Sequence, residues 1–438
     1  MRPAQPLLGL AALWLLSGVM ATVLPGGQWL WQGIGALIGA VALADWLLVR
    51  AIAVPELQRE LPHSLPIGVA SEIVLKIVNR GGRALALEVH DRHPAAGESA
   101  GLPRAIRLDS GGAARIAYRF TPTLRGDQRF EPCDARITSP FRLWQRRVAC
   151  GEPTAVRVYP NFAALTRYAL FATDNRLSQL GILQRRRRGE GLDFHQLREY
   201  RQGDSQRQID WNATARMRKL VSREYRDERD QQIVFMIDCG RRMSASDTDA
   251  RHLRHFDHVL NAALLLGYVS LRQGDAVGYM TFGTEAPRFM APRKTSAAVT
   301  LLLAGLYDIQ PGMMMPDYYQ AALDAARLLR RRALVVILSN LRDEDDDVLA
   351  PALRLLRQRH LVLFASLREP SLDETIARPV SGLDSALTHA AAFDYREERA
   401  RALKRVERNG ASVLDVEPNR LPMALVNRYL DIKRSGIL

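Results

Sequence analysis

The sequence predicts an α/β domain with a doubly wound, mainly parallel sheet, preceded by a small β-sandwich and an N-terminal transmembrane helical hairpin. Three observations predict it. No charged residue occurs from Pro3 to Ala44. Between residues 65 and 160, short alternating segments are separated by glycine and proline. From Gln231 onward, apolar strands alternate with helical segments.

The uncharged run is too long for one span, and Pro25-Gly26-Gly27 breaks it. Each half has roughly the twenty residues that cross a bilayer core. The hairpin occupies residues 1–52, with spans at about 6–24 and 29–49. Trp29, Trp31 and Trp46 fall near span ends, where interfacial anchors belong. A signal peptide over the first half is the competing reading. It lacks an obvious A-x-A-like site, and a second apolar run follows at once. Asp45 lies near the end of the second span and receives no role. Arg2 precedes the first span, the turn is uncharged, and Arg50 and Arg59 follow the second. The positive-inside rule then puts both termini in the cytoplasm of a cell-membrane protein. Cys133, Cys150 and Cys239 suit that reducing side as buried free thiols. A Cys133–Cys150 bridge is the alternative for the opposite orientation.

Residues 60–160 form the sandwich-like domain. Ile116, Tyr118 and Phe120 alternate with small or polar neighbours, and Val156 to Tyr159 behaves similarly. Turn residues stand at Gly81-Gly82, Gly111-Gly112, Gly126 and Pro140. Residues 161–230 form an arginine-rich linker. It carries Arg185 to Arg188 and the block 189-GEGLDFHQLREYRQGDSQRQIDWNATAR-216.

The α/β domain covers 231–438. Its strands are expected at 233–237, 276–282, 333–338, 361–367 and 412–416. Its helices are expected at 252–272, 295–307, 317–332, 347–358 and 383–408, with one more at the end. In an open α/β sheet, ligands bind outside the carboxyl ends of the strands. Asp238 ends the first strand, and Ser339-Asn340 ends the strand begun at Ala333.

This element order, with an aspartate closing an apolar first strand, resembles the von Willebrand factor A domain. The block at 189–216 and the segment 125-RGDQRFEPCDARITSPFRLW-144 look like the domain of unknown function 58 family. The matching signature positions are Gly191, Phe194, Leu197, Arg198, Tyr200, Gly203, Asp204, Arg207, Ile209, Asp210, Trp211, Ala215 and Arg216. Asp193 stands where the family more often has glutamate. The resemblance implies a protein partner, of the MoxR-type AAA+ ATPase class, and no established reaction.

The resemblance also implies a metal-ion-dependent adhesion site built on Asp-x-Ser-x-Ser, a distant threonine and a further aspartate. Here the first element reads Asp238-Cys239-Gly240-Arg241-Arg242. Asn340 holds the later position, and Pro311 to Gln320 contains no threonine. One carboxylate is a poor cage for a hard cation. No metal or other cofactor is therefore expected, and Asp238 is expected to pair with Arg242 or Arg241.

In the signature block, every acid has arginines close in sequence, and arginine forks bind carboxylates bidentately. The block reads as a structural clasp of buried or half-buried ion pairs, with Trp211 as an apolar plug. His195, Glu199, Asp204, Ser205 and Asp210 form no recognisable triad or metal spacing. No phosphate-binding G-x-x-x-x-G-K-[ST] loop occurs, so the chain is expected not to be an enzyme. The net charge of +14 points to an acidic partner. Arg185 to Arg188 has no aromatic interleaving and suggests an acidic protein or solvent rather than specific nucleic acid. The acids Asp343 to Asp347 suit a helix first turn. His252, His255 and His258 read as a helix surface. The leading function is a membrane-anchored, non-enzymatic scaffold. A cation-dependent ligand-binding module and a nucleic-acid-binding membrane protein are the alternatives.

Overall fold

A computed structural model of the 438-residue chain describes residues 1–21, 27–161, 193–201, 206, 209–226, 231–246, 253–341 and 346–437. The chain divides into two compact units, Met1–Tyr159 and Pro160–Leu438.

The first unit begins with strand β1 (Arg2–Pro3) and helices α1 (Gln5–Ala21) and α2 (Gly27–Arg50). The two helices pack through a reciprocal tryptophan pair. Trp14 and Trp31 stack with centroids 4.4 Å apart and planes 4° from parallel. Each indole N–H donates to the other residue's carbonyl, at 3.0 and 2.8 Å. Glycine makes room for the rings, since a Cβ at Gly35 would lie 2.5 Å from Trp14. Only α2 is long and apolar enough to cross a membrane among the described residues; α1 is a shorter apolar helix. Of the two expected spans, the one at 29–49 coincides with α2, and the one at 6–24 ends among residues outside the described ones.

Eleven further strands form the sandwich region: β2 (Glu56–Glu60), β3 (Ser64–Pro66), β4 (Ser71–Val78), β5 (Leu85–His90), β6 (Gly97–Ala100), β7 (Arg104–Leu108), β8 (Ala113–Pro122), β9 (Gly126–Phe130), β10 (Cys133–Thr138), β11 (Trp144–Cys150) and β12 (Thr154–Tyr159). They make sheets ordered β1-β11-β10-β5-β7, β2-β4-β8-β6 and β3-β12-β9. Period-two alternation sets the core. Ile73, Leu75 and Ile77 of β4 pair in register with the β8 residues and are buried with Ile116, Tyr118 and Phe120. Buried Asp91 is held by Arg59, with Nε–Oδ2 at 3.0 Å and Nη2–Oδ1 at 2.5 Å. It also accepts from Tyr118 Oη at 2.5 Å and Cys133 Sγ at 3.0 Å. Cys133 and Cys150 face each other across β10 and β11, and all three cysteines are free and buried. Burial pushes both sandwich thiols up, Cys150 to about 11, so neither is a ready thiolate.

α2 is tied to the sandwich. Asp45 is fully buried and accepts from Ser139 Oγ at 2.5 Å, Phe141 N at 3.0 Å and Leu143 N at 3.1 Å. Trp144 Nε1 donates to Ala42 O at 2.8 Å. Arg146 Nη1 reaches the carbonyls of Arg50 and Ile52 at 3.1 and 2.9 Å, capping the helix end.

The second unit opens with β13 (Asp193–Glu199), helix α3 (Trp211–Met217) and β14 (Val221–Arg226). β13 and β14 pair antiparallel. A six-stranded sheet follows: β15 (Gln232–Asp238), β16 (Ala276–Phe282), β17 (Phe289–Arg293), β18 (Ala333–Ser339), β19 (Leu361–Leu367) and β20 (Ser412–Val416). Its order is β17-β16-β15-β18-β19-β20. β17 is antiparallel to β16, and the remaining pairs are parallel. The sheet is thus mixed, with one antiparallel edge strand that lacks an apolar run.

Helices cover both faces: α4 (His255–Arg272), α5 (Ala298–Leu306), α6 (Tyr318–Leu328), α7 (Asp346–Arg357), α8 (Pro370–Ala377), α9 (Leu383–Arg408) and α10 (Leu421–Arg434). α4, α5 and α10 line one apolar core, and α6, α7 and α9 line the other. α4 is buried on most of its circumference and starts at His255, which is 1% exposed. The expected histidine surface is therefore corrected at His255, which the packed start of this central helix encloses. His252 lies outside the described residues.

Candidate functional site

Strand order reverses at β15. The chain moves from β15 out to β16 and β17, then crosses to β18 on the other side. The carboxyl ends of β15 and β18 therefore flank the topological switch point, where open α/β sheets form their crevice. Asp238, Ser339 and Asn340 sit there, all fully buried.

Asp238 Oδ1 accepts from Gly240 N at 2.7 Å, and Oδ2 accepts from Ser339 Oγ at 2.6 Å. Ser339 Oγ is also 2.7 Å from Tyr318 Oη. Tyr318 comes from the segment that the adhesion-site pattern would furnish with a threonine. A Cβ on Gly240 would lie 2.8 Å from Met314 O and 3.0 Å from Asp238 Oδ1. A serine at 240 therefore has no room as the chain now runs. Gly283, at φ +69°, closes the other side, 3.1 Å from Asp238 Oδ1 by the same measure.

Asn340 faces away from that carboxylate chemistry. Its Nδ2 donates to Glu369 Oε1 at 2.9 Å, and its Oδ1 accepts from Arg399 Nη1 at 2.9 Å. Arg399, 5% exposed on α9, spans the ends of three strands. It also donates to Leu341 O at 3.1 Å, Ser366 Oγ at 2.8 Å, Leu367 O at 2.7 Å and Asp415 Oδ1 at 2.6 Å. A planar guanidinium suits such a divergent acceptor set.

These residues do not fit a hard cation. The oxygen at position 340 already receives an arginine N–H, and both Asp238 oxygens accept N–H or O–H donors. Position 240 has no side chain, and position 242 holds a buried arginine. Among the described residues, no group of three or more His, Cys, Asp or Glu side chains could hold a metal ion. A buried cation does stand at this end of the sheet: Arg399, facing Asn340. Sequence reasoning passed over it because it lies in a charged helical stretch. Its signal was positional: Ala392, Arg399, Ala402 and Val406 form the buried stripe of α9.

In the signature block, Asp210 is the N-cap of α3. Its Oδ1 accepts from Asn212 N and Ala213 N, both at 3.0 Å. Thr214 Oγ1 accepts from Val221 N at 3.0 Å, and Tyr200 N donates to Leu220 O at 2.8 Å. The block is thus a capped helix laid between two paired strands. Two expectations are corrected. Trp211 is 67% exposed and plugs nothing, and Arg216 is exposed on the last turn of α3. The ion pair Glu199–Lys219, at 3.0 Å, is solvent-exposed on both sides and adds little. Arg198 Nη1 donates to Glu199 O at 3.0 Å. Phe194 lies on β13. Gly191, Gly203, Asp204, Arg207, the arginines 185–188 and most of the acidic run lie outside the described residues.

The class is now defined: a doubly wound α/β domain whose switch point is filled by its own side chains. A family model described as "Protein of unknown function DUF58" matches residues 196–402, so this segment is similar to that family. No curated protein matches the sequence. Among solved structures, the chain is similar to BatB from Bacteroides thetaiotaomicron, at 14% identity and TM-score 0.32, covering 47% of this chain and 99% of that one. It is similar to the SpRpn10 VWA domain at 11% identity and TM-score 0.26, covering 45% and 94%. It is also similar to an ASH/PapD-like domain of human CEP192 at 16% identity and TM-score 0.19, covering 25% and 90%.

Proposed function

We propose that this chain is a membrane-anchored scaffold whose α/β domain binds a protein partner through the carboxyl end of its sheet. One observation carries the proposal. The crevice at the switch point is occupied by Asp238–Ser339–Tyr318 on one side and Arg399 with its acceptors on the other. Beside it lies an apolar loop. Arg241 N donates to Met314 O at 3.0 Å, and Gly312 N donates to Cys239 O at 2.7 Å, which holds this loop over β15. Met313, Met314 and Met315 are 85%, 45% and 53% exposed. Flexible, polarisable methionines suit contact with another protein.

The family resemblance supports a MoxR-type AAA+ ATPase as that partner. The apolar α2 supports anchoring in the cell membrane, and the flanking Arg2 and Arg50 support termini on the cytoplasmic side. The reaction chemistry would then belong to the ATPase, with no cofactor on this chain. The detergent-purified chain should bind a purified MoxR-type ATPase. Replacing Met313, Met314 and Met315 together by serine should weaken binding by at least about tenfold, or 1.4 kcal/mol. Undiminished binding in a normally folded variant would move the interface elsewhere, and no binding would remove this partner class.

A further inference from the structure

The turn between β10 and β11 has an exposed tip, yet its backbone donors are all engaged. Ser139 N donates to Trp144 O, and Arg142 N donates to Ser139 O, both at 2.9 Å. Phe141 N and Leu143 N donate to Asp45, and Trp144 N donates to Ser139 Oγ at 2.9 Å. Residue 140 is proline and has no N–H. Every backbone N–H from Ser139 to Trp144 thus has a partner within the protein. Leu143 O accepts from Ala4 N at 2.8 Å. A surface loop in water does not need every backbone donor paired, because solvent supplies partners. Non-helical backbone at membrane depth does need it.

The depth follows from α2. Its 24 residues span about 36 Å, longer than the roughly 30 Å hydrocarbon core, so its end enters the interface. Ala42 and Asp45, which hold the turn, lie about 12 and 7.5 Å before Arg50 along the axis. The turn is therefore level with the last two turns of the helix, beside exposed Leu43 and Leu47. At its tip Phe141 is 58% exposed. Arg2, Arg50 and Arg142 are exposed around it, and the Arg50 guanidinium lies over the Trp46 ring at 5.3 Å. Aromatic and basic side chains at one level are the composition of a membrane interface.

We propose that the β10–β11 turn is a membrane-inserted loop, with Phe141 in the acyl–headgroup boundary and Arg142 among the lipid phosphates. The occupant of this surface is bilayer lipid, and the inference rests on the reading of α2 as a membrane anchor. Inserted in this way, the turn holds the sandwich flush against the bilayer. Asp45 is then a polar group at depth, kept there by the donors that the turn brings to it.

The test uses the full chain in vesicles of phosphatidylcholine and phosphatidylglycerol. A single added cysteine carries an NBD fluorophore, since the native cysteines are buried. Probes go at Phe141→Cys, Arg142→Cys, Leu37→Cys and Glu131→Cys. Leu37 is exposed in mid-α2, and Glu131 is exposed just before the far end of β10, roughly 20 Å from the turn. Shallow nitroxide lipids should quench positions 141 and 142, deep ones should quench 37, and neither should quench 131. If 37 is quenched while 141 and 142 behave like 131, the insertion is wrong and the anchor stands. If 37 is not quenched, the anchor and the insertion fall together.

Discussion

Asp45 and Asp238 are held in nearly the same way. Each is fully buried, Asp45 in the last two turns of α2 and Asp238 at the end of β15. Each accepts from a serine hydroxyl, Ser139 at 2.5 Å and Ser339 at 2.6 Å. Each also accepts from backbone, Phe141 and Leu143 in one case and Gly240 in the other. The surroundings separate them. Asp45 joins a helix to a sheet, and its donors come from nearly a hundred residues away. Asp238 stands at a topological switch point, between two parallel neighbours, β16 and β18. The same carboxylate chemistry makes a structural tie in one place and closes a ligand crevice in the other. A buried aspartate acquires its role from what its donors belong to.

The largest expected effect lies at the crevice. Arg399→Met should leave Asn340, Ser366 and Asp415 without their buried donor and cost about 3–5 kcal/mol, read as a lowered melting temperature. Arg399→Lys should not restore it, because one ammonium cannot span acceptors on three strands. Full rescue by lysine would mean that charge alone matters there.

The two aspartates should then differ in kind of effect. Asp45→Ala strands the donors of Ser139, Phe141 and Leu143, and Asp238→Ala strands those of Gly240 and Ser339, at about 1–3 kcal/mol for each buried unsatisfied group. Denaturant melts should show both variants destabilised. Asp45→Ala should also open the β10–β11 turn to protease, whereas Asp238→Ala should not. Equal turn protection in both variants would break the comparison.

Smaller effects are expected in the signature block. Asp210→Ala removes a helix cap worth about 1 kcal/mol, while Arg216→Ala should melt with the wild type. If Arg216→Ala were the worse variant, ion pairing would outweigh capping in this block.

The smallest effect is a pH dependence at His360, which is 6% exposed. Burial, and secondarily Arg359, holds its imidazole below the ordinary value of 6.5. The unfolded chain then binds the proton more readily than the folded one. Its contribution to stability is complete above about pH 6.5 and declines as pH falls toward the lower folded value. His360→Leu should flatten that part of the stability–pH curve.

Much of the second unit was legible in the sequence. The strands Ala276–Phe282, Leu361–Leu367 and Ser412–Val416 and the helix Leu383–Arg408 have the expected bounds. Buried parallel strands write themselves as continuous apolar runs. β17 did not, since FMAPR alternates exposed positions and carries an edge-tolerated proline. α8 has no buried residue, so no apolar stripe marked it. At the site, Asp238 and Asn340 were legible from strand ends. The partner of Asn340 was not, because the burial of one arginine among many on α9 depends on which face meets the sheet. Trp211 misled in the opposite direction: a large apolar residue in a charged block need not be buried. Asp45 could have been singled out as the lone acid beside a long apolar run.

The central claim is that the protein's own groups, with Arg399 foremost, close the switch point and leave no place for a cation. Calorimetric titration of the purified chain with Mg²⁺ and Mn²⁺ tests it most directly. The account predicts no saturable binding and no change in melting temperature with either ion. Saturable binding tighter than about millimolar, in the range of functional hard-cation sites and abolished by Asp238→Ala, would contradict it.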